Sequence, residues 1–178
     1  MKQFIILAII FSGICFSING QADAEIMKNQ KLEAMNKLSF MIGTWEGTGW
    51  YQMGQDERDV FDIHETITEK LDGLLLLIEG HGTSNGQTVH KALAVISWDP
   101  DNEQYNFESH TYDGRSANAT ASLKGNVLTW GFDVPGRGSI QYVINISEDD
   151  EWIEKGSYSP DGEAWYPFMG MSLKRIKE

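Results

Sequence analysis

Residues 104–134 read QYNFESHTYDGRSANATASLKGNVLTWGFDV. Short runs of alternating, aromatic or β-branched residues are separated here by the turn dipeptides Asp113-Gly114 and Gly125-Asn126. Runs of strand length joined by two-residue turns are typical of antiparallel β-hairpins. The stretch therefore predicts three consecutive strands, 104–112, 116–123 and 127–134, each paired with the next.

The same pattern continues on both sides and predicts about ten strands. They span residues 44–53, 60–71, 74–83, 88–98, 104–112, 116–123, 127–134, 139–147, 152–159 and 164–176. Further turns are predicted at Asp72-Gly73, Asn85-Gly86, Asp99-Pro100, Pro135-Gly136, Asp149-Asp150 and Asp161-Gly162. An up-and-down meander has two exposed edges unless it closes, so we expect an all-β antiparallel barrel. The absence of βαβ alternation argues against nucleotide-binding α/β folds.

Small residues dominate one face of strand 116–123. Ala117, Ala119 and Ala121 alternate with polar residues, which predicts that the alanines face the barrel interior. A two-residue loop at Gly125-Asn126 places Ala121 opposite Trp130. The space beside the alanines either holds a ligand or is filled by large aromatic side chains. The candidates for filling it are Trp98, Trp130 and Phe132.

The other two hairpin registers predict a group of histidines and carboxylates on one face of the sheet. A two-residue loop at Asn85-Gly86 places His81 opposite His90, and one at Asp113-Gly114 places His110 and Glu108 opposite alanines. Glu79 then shares the same face. Such a group allows acid–base catalysis, whereas the simpler interpretation is solvent-exposed histidines near a hairpin tip. Neither HxH nor HExxH spacing occurs, so we predict no metal site, no cofactor and no assigned catalytic residue.

The N-terminus predicts export. Lys2 precedes an apolar run from Phe4 to Phe16 that is too short to span a bilayer, and small, turn-forming residues follow up to Gly20. This is the pattern of a cleaved secretory signal peptide over residues 1–20, with cleavage after Ala24 as the alternative. Residues 21–37 are predicted as a linker or short helix, and residues 38–178 as the barrel domain. The expected location is therefore extracytoplasmic, periplasmic or secreted.

The net negative charge of the chain restricts the classes of partner that it is expected to bind. Removal of residues 1–20 leaves 13 of the 14 basic residues against all 26 acidic residues, and no cysteine. An acidic chain repels nucleic acid and anionic lipid surfaces. We therefore expect neither nucleic-acid binding nor stable membrane insertion.

The opening Ile42-Gly43-Thr44-Trp45-Glu46-Gly47 resembles the GxW strand of lipocalins and other calycins, and the GTWxGxG opening of nitrobindin-like barrels. Together with Leu71-Asp72-Gly73, Ser97-Trp98-Asp99-Pro100 and Asp113-Gly114, it most resembles the bacterial lipocalin-like family called domain of unknown function 1579. The resemblance spans about residues 38–176. It implies a barrel of about ten strands in which Trp45 packs against a basic residue of the last strand, here Arg175.

The resemblance also helps to distinguish heme binding from the other possible functions of the barrel. Nitrobindins bind heme through a histidine in their final strands, whereas this chain has no histidine after His110. A heme-binding barrel therefore stays an alternative with only Met169 or Met171 as an axial ligand. The favoured interpretation is a small apolar or amphipathic ligand bound in the barrel, with an enzyme acting on that ligand as a further alternative. The predicted ligand-binding residues are His81, His90, Trp98, His110, Trp130, Tyr166 and Met169.

Overall fold

The computed structural model describes residues 15–52, 54 and 57–176, and these residues form one α-helix followed by ten strands. Helix α1 spans Cys15–Asn36, and a turn of 3₁₀ helix follows at Ser39–Met41. The strands are β1 (Gly43–Tyr51), β2 (Asp59–Lys70), β3 (Leu75–Ser84), β4 (Gln87–Asp99), β5 (Gln104–Thr111), β6 (Ser116–Lys124), β7 (Val127–Val134), β8 (Gly138–Ile146), β9 (Glu151–Ser159) and β10 (Tyr166–Arg175). All ten predicted strands are confirmed, with ends that differ by at most two residues.

The strands close into a barrel in which each pairs antiparallel with the next along the chain. Strand β1 pairs with both β2 and β10, so none of the described strands is left as an edge. Closure satisfies the backbone groups that an open meander would expose to other chains. The predicted all-β barrel is therefore confirmed.

The β3–β4 hairpin contains an irregularity that the sequence did not predict. It turns at Asn85-Gly86, whose φ angles of 50° and 74° suit a tight hairpin, and Ser84 lies opposite Gln87 as expected. A bulge between Gly82 and Thr83 then shifts the register, so His90 lies opposite Gly82. The predicted pairing of His81 with His90 is wrong because the inserted residue turns His81 to the outer face.

The β5–β6 hairpin is one residue longer than predicted. The Thr111 N–H donates to the Arg115 carbonyl at 2.9 Å, which leaves three residues, 112–114, in the loop. As a result Phe107, not Glu108, lies opposite Ala119, and His110 lies opposite Ser116. The predicted pairings of Glu108 and His110 with alanines are wrong, and both side chains are exposed on the outer face. The β6–β7 register is confirmed, with Ala121 opposite Trp130.

Helix α1 and the turn after it close one end of the barrel. Ala34, Met35, Leu38 and Met41 are all buried there, with Leu38 and Met41 entirely inaccessible. Burial of such a side chain contributes about 1.5–3 kcal/mol to stability. The Tyr105 hydroxyl donates to the Ala34 carbonyl at 2.8 Å and attaches the helix to β5.

A tryptophan pair and an arginine seal the same end. Trp45 contacts Trp152 edge to face, with ring centroids 5.5 Å apart. The Arg175 guanidinium lies over the Trp45 ring at 4.0 Å. Its Nε donates to Asp150 at 2.7 Å, and its two terminal nitrogens donate to the carbonyls of Phe40 and Ile42. The guanidinium thus joins the last strand to the segment that precedes β1.

The predicted signal peptide falls mainly on residues 1–14, which lie outside the described residues. Helix α1 begins at Cys15, before the predicted linker at 21–37, and ends at Asn36. Within the described residues, none of the helices combines the length and apolar character needed to cross a bilayer.

Candidate functional site

The end of the barrel opposite α1 carries inward-facing aromatic side chains, and we call this end the mouth. On one side the Phe61 ring lies 5.9 Å from Tyr51 and 6.4 Å from the His90 ring. On the other side Tyr142 meets Phe168 edge to face at 5.9 Å. Four inward-facing side chains at this end pack on the core while staying only partly buried, so the mouth is accessible to solvent. They are Tyr51, Phe132, Tyr142 and Met169.

A stack of three rings fills the interior beside the alanines of β6. Trp130 lies between Phe107 and Tyr142, with centroids 4.1 Å from each and interplanar angles of 10° and 11°. The stack crosses β6 where Ala119 and Ala121 leave room for it. The alanines thus face inside as predicted. At this level large rings interdigitate with small residues.

Two carboxylic acids, Glu65 and Glu154, lie inside the barrel. Only 5 % of Glu65 and 7 % of Glu154 is exposed. Glu65 lies below Phe61 and Ile63 on the inner face of β2, and Glu154 lies below Tyr158 and Gly156 on the inner face of β9. At about 3.3 Å per residue along a tilted strand, this places the carboxyls roughly 10 Å below the mouth.

The buried carboxyls are held largely in their protonated form. Burial, together with the like charge of Glu154, raises the pKa of Glu65 from 4.5 to about 8. Burial raises the pKa of Glu154 to about 7, and the neighbouring Trp152 indole partly opposes that shift. Two interacting acids titrate as a pair, so near neutral pH they hold between one and two protons.

Glycines in the wall create the space for these side chains. A Cβ added at Gly80 would lie 2.5 Å from Glu65 Oε1, so the carboxyl of Glu65 lies directly against β3. A Cβ at Gly49 or Gly82 would meet the Phe61 ring at under 3 Å, and one at Gly156 would meet Tyr142. Glycines on neighbouring strands thus leave the space that the carboxyl and the surrounding rings occupy.

Several buried polar atoms of the interior have no hydrogen-bond partner among the described residues. They include Glu65 Oε2 and the indole nitrogen of Trp130. A buried donor or acceptor left unpaired costs on the order of 1–3 kcal/mol. The interior therefore carries unused capacity both to donate and to accept hydrogen bonds.

The predicted ligand-binding residues are distributed over both faces of the barrel. His90 points inward beside Phe61, and burial lowers its pKa, with Arg115 adding to the effect. Trp130 and Met169 also point inward. Trp98 lies near the closed end, 4.8 Å from Tyr105. His81, His110 and Tyr166 are exposed, so the histidines are not brought together inside, and neither Glu79 nor Glu108 accompanies His90.

A depression of about 620 Å³ lies on the outer face of β2 to β5. His64, His81 and His110 border it, together with Glu79, Lys91 and Tyr112. His64 is paired with Glu46 at 3.1 Å, and His81 hydrogen-bonds Thr88. Within the described part of the chain, no three His, Cys, Asp or Glu side chains converge as metal ligands.

Glu65 and Glu154 were not predicted as site residues. Each occupies an inward position of an alternating strand, between Ile63 and Ile67 on β2 and between Trp152 and Gly156 on β9. A carboxyl where the alternation demands an apolar residue is the signal that identifies them. The predicted hairpin registers indicated Glu79 and Glu108 instead, and both of these side chains point outward.

The fold and the site define a calycin-like barrel: ten antiparallel strands in a closed meander, one end sealed by a helix and the other leading to a polar group inside an apolar interior. The chain belongs to the family described as "Protein of unknown function (DUF1579)", whose model matches residues 31–175. This match confirms the family resemblance of the sequence. No curated protein matches the chain.

Solved structures with the same fold share little sequence with this chain. Rv2717c from M. tuberculosis is similar with a TM-score of 0.57 and 12 % identity, over 82 % of this chain and 97 % of that one. The S-type phycobiliprotein lyase CPES from Guillardia theta is similar with a TM-score of 0.58 and 10 % identity, over 83 % and 94 % of the two chains. At these identities the similarity establishes the barrel fold.

Proposed function

We propose that this protein is exported and binds a small apolar or amphipathic molecule in the mouth half of its barrel. The observation that carries the proposal is the group of inward-facing but solvent-accessible side chains at the mouth. Tyr51, Phe132, Tyr142 and Met169 offer apolar contact area without being buried by the protein itself. Concave apolar surface above a few polar groups is the usual form of a small-molecule site.

One end of the barrel is closed, so we propose that a ligand enters at the mouth. Helix α1, Met41 and the Trp45–Trp152 pair seal one end, and the ring stack packs beside Ala119 on the β6 side of the interior. A ligand that enters at the mouth would therefore place its apolar part between the Phe61 side and the Tyr142 side. Its inner end would point towards Glu65 and Glu154.

Binding of a neutral apolar dye, Nile red, tests the proposal. We expect dye fluorescence to rise on addition of the protein, and Phe132→Ala to weaken binding because it removes an inward-facing ring at the mouth. Tyr112→Ala is the matched control, since Tyr112 is exposed and borders the outer depression. If Tyr112→Ala abolishes binding and Phe132→Ala does not, the dye binds outside the barrel and the proposal fails.

The N-terminal sequence supports export, because Lys2 is followed by an apolar run to Phe16 and then by the small residue Gly20. Expression of the full chain in a bacterium, followed by cell fractionation and N-terminal sequencing, tests it. We expect a mature protein outside the cytoplasm that begins after Gly20, or after Ala24. Recovery from the cytoplasm with Met1 or Lys2 at the N-terminus would contradict export.

Proton transfer to a bound ligand is a second candidate function. It is favoured by the burial of Glu65 and Glu154, which raises their pKa values to about 8 and about 7, because acids that titrate near neutral pH can both donate and accept protons. Mass spectrometry of lipophilic extract compounds, before and after incubation with the protein, tests it. Compounds that are retained unchanged favour binding alone, whereas products lost in Glu65→Gln favour catalysis.

A further inference from the structure

We infer that the pair Glu65 and Glu154 recognises the cationic amino group of an amphipathic ligand. This inference rests on the proposed function, because it specifies the polar end of the molecule bound at the mouth. The ligand class is a primary amine with an apolar tail. The amino group would reach the two carboxyls, and the tail would lie among the aromatic side chains above them.

The carboxyls have no cation of their own. Among the ion pairs of the described residues, none involves Glu65 or Glu154. At the mouth end, the Arg115 guanidinium is engaged by Asp113 at 2.7 Å, and the Arg58 guanidinium lies over the Trp50 ring. A buried carboxylate needs a cation beside it to stay deprotonated, so a ligand that brings a positive charge would stabilise the ionised form of the pair.

The orientation of Glu65 supports the same ligand chemistry. Its Oε2 is buried and has no hydrogen-bond partner, and its other oxygen lies against the bare backbone of Gly80. An ammonium group carries three N–H donors and no acceptor. It therefore supplies what an unpaired carboxyl oxygen lacks, whereas a ligand carboxylate would place a third acid beside the pair.

The surroundings of the pair suit a tail that is apolar along its whole length. Phe61 and Ile63 lie above Glu65 on β2, and Tyr142 and Phe168 lie over Gly156, above Glu154 on β9. The inner surface thus changes from apolar rings at the mouth to carboxyls about 10 Å below it. A straight-chain primary amine matches this order of surfaces.

Displacement of Nile red by three probes of equal chain length tests the inference. The probes are octylamine, octanol and octanoate, which differ only in the head group. We expect octylamine to displace the dye at a concentration at least about tenfold lower than either of the others, a difference of about 1.4 kcal/mol. Glu65→Gln and Glu154→Gln should reduce this preference to less than about threefold, because an amide has the shape of the carboxyl but no charge.

Glu79→Gln is the matched control, since Glu79 is exposed on the outer face of β3, and it should keep the preference of the wild type. Equal displacement by the three probes, or a preference for octanoate, would overturn the inference and leave the proposed function standing. If Nile red does not bind, the site does not take a neutral apolar molecule, and calorimetric titration with octylamine decides the inference. Heat of binding that disappears in both glutamine variants supports it, and no heat overturns it.

Discussion

Replacement of Glu65 by glutamine should make the protein more stable, and increasingly so as the pH rises. In the folded state the pKa of Glu65 is about 8, against 4.5 for an ordinary glutamate. The folded protein therefore retains a proton that the unfolded chain loses, and its stability falls as the pH rises from about 4.5 to about 8. Glutamine does not ionise, so the variant lacks this loss.

The magnitude follows from the two pKa values. At about 1.4 kcal/mol per pKa unit, the full effect approaches 5 kcal/mol, of which about 3 kcal/mol has developed by pH 7. At pH 5 the effect is below about 1 kcal/mol. Glu154 has its own raised pKa, of about 7, so the single variant should keep a smaller decline that Glu65→Gln/Glu154→Gln removes.

Urea denaturation of wild type and variant from pH 5 to pH 8 measures the difference in unfolding free energy. The change with pH is the decisive quantity, because an amide at position 65 adds a constant contribution of its own. Glu79→Gln on the outer face should shift the curve by no more than about 0.5 kcal/mol at any pH. A difference between Glu65→Gln and wild type that stays constant from pH 5 to pH 8 would refute the assignment of a buried, protonated carboxyl.

Other substitutions test other parts of the barrel. Arg175→Ala removes the cation over Trp45 and its charged hydrogen bonds, so thermal and urea unfolding should show a loss of about 2–4 kcal/mol; a loss below about 1 kcal/mol would contradict its part in sealing that end. Ala121→Leu overfills the interior beside the ring stack and should cost about 1–3 kcal/mol, while an unchanged melting temperature would indicate unoccupied space there. Gly80→Ala places a methyl group against the carboxyl of Glu65, so it should destabilise the wild type more than it destabilises Glu65→Ala, and equal costs in both backgrounds would contradict that contact.

The strands were predictable because their ends are marked locally. Turn dipeptides such as Gly125-Asn126 set both the position of a hairpin and its register, and the closed meander follows from ten such segments in a row. The family was also predictable, since the opening around Trp45 and the turn at Asp113-Gly114 lie in order along the chain. These features depend on a few neighbouring residues, and tertiary contacts do not override them.

The candidate site was less predictable because it depends on irregularities that leave little trace in the sequence. The bulge between Gly82 and Thr83 places His81 on the outer face of the barrel. No turn residues in the sequence indicate this bulge. The pair of Glu65 and Glu154 depends on two strands that are far apart in the chain and come together only when the barrel closes. A polar residue at an inward position is visible in one strand, but its partner is known only from the fold.

The three-residue loop at 112–114 determines which side chains share a compartment with the β6 alanines. With one residue fewer, those alanines would have shared a face with His110 and Glu108 instead of Phe107, and the interior would carry charge where it now carries a ring stack. Loop length at a hairpin is therefore a means by which barrels of this family can acquire different interiors without any substitution in the strands. Members that differ there by one residue should differ in the side chains that line their interior.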